Sequence, residues 1–104
     1  MIYTLNAPVL TSFGHYSFKK IGPDQARELL SDGFISAVGH KGTAEVMSEI
    51  IGIEIPFNRI PVQMRPGDQA VVLWLLERPQ EGHVYSVEEL DRVPCELGLL
   101  KRIS

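Results

Sequence analysis

The chain has 104 residues, 44% of them apolar, a net charge of −3 and a single cysteine. That length suits one domain, residues 1–104, with a modest core, in the composition range of ordinary soluble globules. The acidic balance excludes a general DNA or RNA coater, which needs a broad basic footprint. Cys95 alone makes no internal disulfide or cysteine-rich metal cluster, and no apolar run nears the roughly 20 residues that span a bilayer. With a strand-like pattern directly after Met1 and no basic leader, the expected location is the cytoplasm.

Ile2 to Leu5 reads as a strand ending at Asn6-Ala7-Pro8, where Pro8 cannot donate to a sheet ladder. Thr11 to Gly14 is loop, and His15 to Ile21 a second strand with Tyr16, Phe18 and Lys20 on one face. Gly22-Pro23-Asp24 opens a helix whose buried stripe is Ala26, Leu29 and Leu30, with Gly33 as its left-handed stop. Phe34 to Val38 reads as a buried central strand that breaks at Gly39. His40 stands at its end, and a helical pattern runs from about Thr43 to Ile51. Val46, Met47, Ile50 and Ile51 share one face of it, and Gly52 closes it.

Ile53 to Phe57 is short and apolar, and Asn58 to Met64 alternates as a strand with Ile60, Val62 and Met64 on one side. Arg65-Pro66-Gly67-Asp68 is a turn. Ala70 to Leu76 has almost no polar interruption, so it is expected to be a strand covered on both faces. After the loop Glu77 to Gly82, Ser86 and Glu89 form a capping box, with Tyr85 and Leu90 as a staple, before a short helix over about Val87 to Arg92. Cys95 to Ile103 gives the last strand. The expected fold is α/β: a single domain with a mixed β-sheet of about five strands and helices packed on it.

The candidate chemistry sits at element ends: Asn6, His40, Arg78 and Glu81, with Arg59 at a strand start. The free amides opening a helix carry partial positive charge and bind phosphate, and a histidine there can move a proton near neutral pH. Each residue also has a plain reading. A loop histidine is commonly just solvated, and His15 and His83 lack the glycine–histidine–helix context. Arg78 and Glu81 can be a surface pair of little consequence; Arg59 can cap a carbonyl, and Lys41 can be solvated or lend charge to the phosphate site. Cys95 reads as a small core residue, and Glu88, Glu89 and Asp91 as a solvated helix face. No spacing supports a zinc or calcium site, a Walker loop or a serine–histidine–aspartate triad. The residues alone reach an α/β domain with an anion site near His40.

Four ordered blocks go further: Asn6-Ala7 after the first strand, Gly39-His40-x-x-Thr43 into a helix, Asn58-Arg59, and Arg78-x-x-Glu81-Gly82 after the long strand. From Tyr3 to about Ile103 the chain resembles the viral ring nucleases, type III anti-CRISPR proteins of archaeal viruses, phages, mobile elements and bacterial genomes. The resemblance implies a homodimeric, metal-independent phosphodiesterase with no cofactor. Its ligand would be cyclic tetraadenylate, bound across the dimer interface and cut into linear di-adenylates ending in a 2′,3′-cyclic phosphate.

By family match His40 is the general acid at the leaving oxygen, and Arg78 holds the scissile phosphate. Glu81 orients His40, raises its pKa, or positions Arg78. Arg59 and the amides near Lys41 to Thr43, beside Gly39 and Asn6, would bind the other phosphates. Two subunits would then supply four arginines to a symmetric ring. The family's serine soon after the Asn-Ala pair is replaced here by Pro8 and Val9, leaving Thr11 or Ser12 for the hydroxyl contact. Pro79, a second departure, stiffens the loop carrying Arg78 and Glu81. Two other readings compete: a sponge that binds the ring without cutting it, and a viral or mobile-element protein-interaction module.

Overall fold

The computed structural model describes residues 1–8, 10, 12–75 and 95–104. Among them seven elements follow in order: β1 (Ile2–Leu5), β2 (Tyr16–Ile21), α1 (Pro23–Leu30), β3 (Ile35–Ser36), α2 (Lys41–Ile51), β4 (Gln69–Leu75) and β5 (Cys95–Arg102). The strands form one sheet in the order β2-β5-β4-β1-β3. β1 runs parallel to both β4 and β3, whereas β5 is antiparallel to β4 and to β2. The α/β fold with a mixed five-stranded sheet is the one the sequence predicts.

β4 lies in the middle of the sheet, as its uninterrupted apolar run requires. Val71 and Leu73 face one core cluster and Ala70 and Val72 the other. Both helices cover the Val71–Leu73 face, α1 through Ala26 and Leu30 and α2 through Val46, Met47 and Ile51. Pro23 begins α1, where its missing N–H costs nothing. Arg27 of α1 donates from Nε to the Ile51 carbonyl at 2.8 Å, closing the last turn of α2. That turn ends on Gly52 at φ +85°, a left-handed conformation that glycine adopts without strain. On the opposite face Leu5, Ala70, Val72 and Leu100 pack with Tyr3, Tyr16 and Phe18, and with Val62 and Met64 from the segment after α2.

Three expectations are corrected. The run from Phe34 to Val38 is not a central strand: only Ile35 and Ser36 pair, at the sheet's edge, with β1. Phe34 and Val38 belong to the core with α2 and Ile55, and Ala37 to the opposite one, so apolar content signalled burial and not position. The helix after it starts at Lys41, two residues earlier than its apolar pattern suggests. The stretch from Asn58 to Met64 forms no strand. Pro61 has no N–H to give a ladder; Met64 and Val62 turn inward while Ile60 stays 39% exposed. Arg59 therefore stands on irregular backbone, not at a strand start. The capping box, His83 and the helix expected over Val87 to Arg92 lie outside the described residues.

Candidate functional site

The parallel strands β1, β3 and β4 all point their carboxyl ends to one edge of the sheet, where α/β folds generally build sites. There the chain leaving β1 meets the chain leaving β3. The Asn6 side chain accepts the Gly39 N–H through Oδ1 at 3.1 Å. One residue inward, the Ala37 N–H donates to the Thr4 carbonyl at 2.9 Å, so the pairing with β1 continues past Ser36. Asn6 makes no bond through Nδ2 among the described residues, leaving that amide available to a ligand.

The other side of the 36–39 segment is held by the chain after α2. The Asn58 N–H donates to the Val38 carbonyl at 2.9 Å, and its Nδ2 to the Ser36 carbonyl at 2.8 Å. Ser36 in turn donates through Oγ to the Pro56 carbonyl at 2.6 Å. The next residue, Arg59, lays its aliphatic stem across Gly39: a methyl group built on Gly39 would stand 3.3 Å from the Arg59 Cγ. Residues 20 apart in sequence thus place a guanidinium-bearing chain beside the backbone that leads into His40.

His40 is exposed and extended (φ −131°, ψ 123°), and forms the N-terminal boundary of α2 without capping it through its side chain. Its carbonyl takes the Ala44 N–H at 3.0 Å, the first bond of the helix. The amides of Lys41, Gly42 and Thr43 precede that bond and have no partner among the described residues, and the first turn holds no acidic side chain. Exposed Lys41 adds charge to this positive end, while the Thr43 side chain is nine-tenths covered and offers mainly its amide. Arg59 is exposed, with no carboxylate in ion-pair reach among the described residues.

An open cavity of about 470 Å³ adjoins Lys41 between α2 and the following chain, bordered by Glu45, Glu49, Glu54 and Phe57. Its three carboxylates disfavour an anion, so a phosphate is directed to the Gly39–Arg59 side of the helix end. Among the described residues no three His, Cys, Asp or Glu side chains converge as a metal site, and no helix is long and apolar enough to cross a membrane.

The structure therefore gathers Asn6, Gly39, His40, Lys41, Thr43 and Arg59. Ser12 is not among them. Its carbonyl accepts the Tyr16 hydroxyl at 2.8 Å, and Tyr16 pairs with Arg102 at the sheet's opposite end, where Gln69 of β4 pairs with Lys101. Thr11, Arg78 and Glu81 lie outside the described residues. Asn58, which the sequence marks only as the neighbour of Arg59, holds Ser36 and Val38; its closeness to Pro56 is the signal the sequence offers.

The STIV B116-like family model matches residues 2–97, and the chain belongs to that family. It is 34% identical to Uncharacterized protein 26 of Sulfolobus islandicus filamentous virus, across all of this chain and 93% of the relative. It is 32% identical to YddF of Bacillus subtilis, across 95% of this chain and 94% of the other. Among solved structures, B116 of Sulfolobus turreted icosahedral virus matches with a TM-score of 0.72 over 97% of this chain and 98% of that one. At 22% identity this likeness shows a shared fold.

Proposed function

We propose that this protein is a metal-independent ring nuclease that opens cyclic tetraadenylate and so silences type III CRISPR signalling in the host cytoplasm. The observation that carries the reading is the junction itself: an exposed His40 at the start of α2, open amides behind it, and Arg59 laid over Gly39. The chemistry asks little more of the protein. The ribose 2′-oxygen attacks its own phosphorus, the P–O2′ bond forms and the P–O5′ bond breaks. The hydroxyl proton passes to solvent, and His40 gives a proton to the departing 5′ oxygen. Aligning an internal nucleophile supplies much of the rate, and cations with fixed amides hold the charge that builds on phosphorus. In this reading Arg78 holds the scissile phosphate and Glu81 serves His40 or Arg78.

The ligand's two-fold symmetry calls for a homodimer. Support comes from the sheet face away from the helices, where Trp74 is 46% exposed and stacked on Phe18. Membership of a family found in archaeal viruses fits an anti-defence role, and the relative in Bacillus subtilis fits a bacterial use of the same activity.

The test incubates the protein in EDTA with excess cyclic tetraadenylate beside His40→Ala. Multiple-turnover release of di-adenylate with a cyclic phosphate end, absent in the variant, supports the enzyme and its acid. His40→Ala should still bind the ring, whereas Arg78→Ala should lose much of both binding and cleavage. Binding at one ring per dimer without turnover would make the protein a sponge, and no binding would sink the reading.

A further inference from the structure

We infer that Asn58 is a positioning residue for the anion site, standing in for a strand that Pro56 prevents and thereby setting Arg59 against Gly39. The inference rests on the proposed reading of that junction. The segment 36–39 is bonded on both sides in alternation. The N–H groups of Ala37 and Gly39 turn to β1 and Asn6. The carbonyls of Ser36 and Val38 turn the other way, toward the chain after α2. Val38 and Phe57 form a parallel bridge, with the Asn58 N–H on the Val38 carbonyl.

Parallel pairing repeats every two residues, so the next bond in register would run from the N–H of residue 56 to the Ser36 carbonyl. Residue 56 is proline and has no N–H. The Asn58 side chain makes that bond instead, at 2.8 Å. One residue thus supplies two consecutive rungs, one from its backbone and one from its amide. Residues 58–64 form no strand, and the first side chain to leave the clasp is Arg59, whose stem crosses Gly39. Without the side-chain rung, the Ser36 carbonyl loses its partner, and beyond the Ser36–Pro56 bond residues 57–59 are held by the Val38 carbonyl.

The experiment uses Asn58→Ala and Asn58→Asp, both of which keep the backbone bond to Val38 and lose the donor to Ser36. Two-dimensional 1H–15N spectra should show the Gly39 amide and the Arg59 Nε–H shifted in both variants, with the resonances of β5 and α1 unmoved. In cleavage assays KM for cyclic tetraadenylate should rise about tenfold, the usual weight of a lost hydrogen bond. Turnover should stay within about threefold, as expected when uniform binding is lost. Against an Arg59→Ala background the same change should add almost nothing to KM, because its effect passes through Arg59.

Unmoved Gly39 and Arg59 signals, or effects of Asn58 and Arg59 that simply add, would overturn the inference. A wild-type protein that ignores the nucleotide overturns the functional reading instead, and the two amide signals still decide the role of Asn58.

Discussion

Gly98 lies buried in β5 between Val72 of β4 and Lys20 of β2, and the ring of Phe18 lies directly over it. A methyl group there would stand 2.6 Å from the ring's Cζ and nearer still to Cε1. Its backbone is outside the left-handed region, so Gly98→Ala introduces no backbone strain and chiefly tests space. Restoring ordinary contact moves the ring by about 1 Å. That disturbs the stacking of Phe18 on Trp74, now at 5.1 Å and 28°. Overpacking costs about 1–3 kcal/mol, and the disturbed stacking adds at most about 1 kcal/mol. Against this, alanine in a strand regains about 0.5–1 kcal/mol over glycine.

A net loss of about 1–3 kcal/mol should lower Tm by roughly 5–20 °C for a domain of this size. Trp74 is the chain's sole tryptophan, so its emission reads the displacement directly and should change in the folded variant. Adding Phe18→Leu should recover part of the loss, since a smaller side chain leaves room for the methyl. An unchanged Tm and emission, or losses from the two substitutions that merely add, would refute the reasoning.

Two further outcomes are expected. Gly39→Ala places a methyl 3.3 Å from the Arg59 Cγ, a distance a mobile exposed stem absorbs by moving a few tenths of an ångström. Thermal melting should hold within about 0.5 kcal/mol while affinity for cyclic tetraadenylate falls; a large loss of stability with affinity intact would contradict the packing described. Met47 has no exposed surface and sits in the core between α2 and the sheet. Met47→Ala should cost about 2–5 kcal/mol, read as a lower urea midpoint at unchanged slope.

The sequence made β1, β2, β4, β5 and both helices legible to within a residue or two, because each has a period and a stop. Gly52 closes α2 and Pro23 opens α1 where such residues are expected. The register of these elements was not legible, and that is where the errors arose. Phe34 and Val38 are buried with α2 and Ile55 and Ala37 in the opposite core, a burial that a run of side chains does not distinguish from a place in mid-sheet. The alternation from Ile60 to Met64 resembles a strand, but Pro61 has no N–H for a ladder and the stretch forms none. At the site, His40, Lys41 and Arg59 could be named from residue type and spacing. The partner of each asparagine could not. The Oδ1 of Asn6 accepts the Gly39 N–H, a contact that residue type and spacing do not show.

An acidic chain with an anion site is no contradiction once position is considered. Charges interact strongly within about 10 Å at moderate salt and weakly beyond it, so net charge governs distant attraction and local charge governs binding. Around α2 the signs are sorted along the helix: Lys41 at its opening, then Glu45 and Glu49 on the groove with Glu54. The opening turn carries no carboxylate, and just before it the stem of Arg59 lies against Gly39, which has no side chain to obstruct it. The same carboxylates that make the chain acidic disfavour a phosphate along the groove. Among the described residues they favour the helix opening beside His40 over the groove as the place for the polyanionic ring of the proposed function.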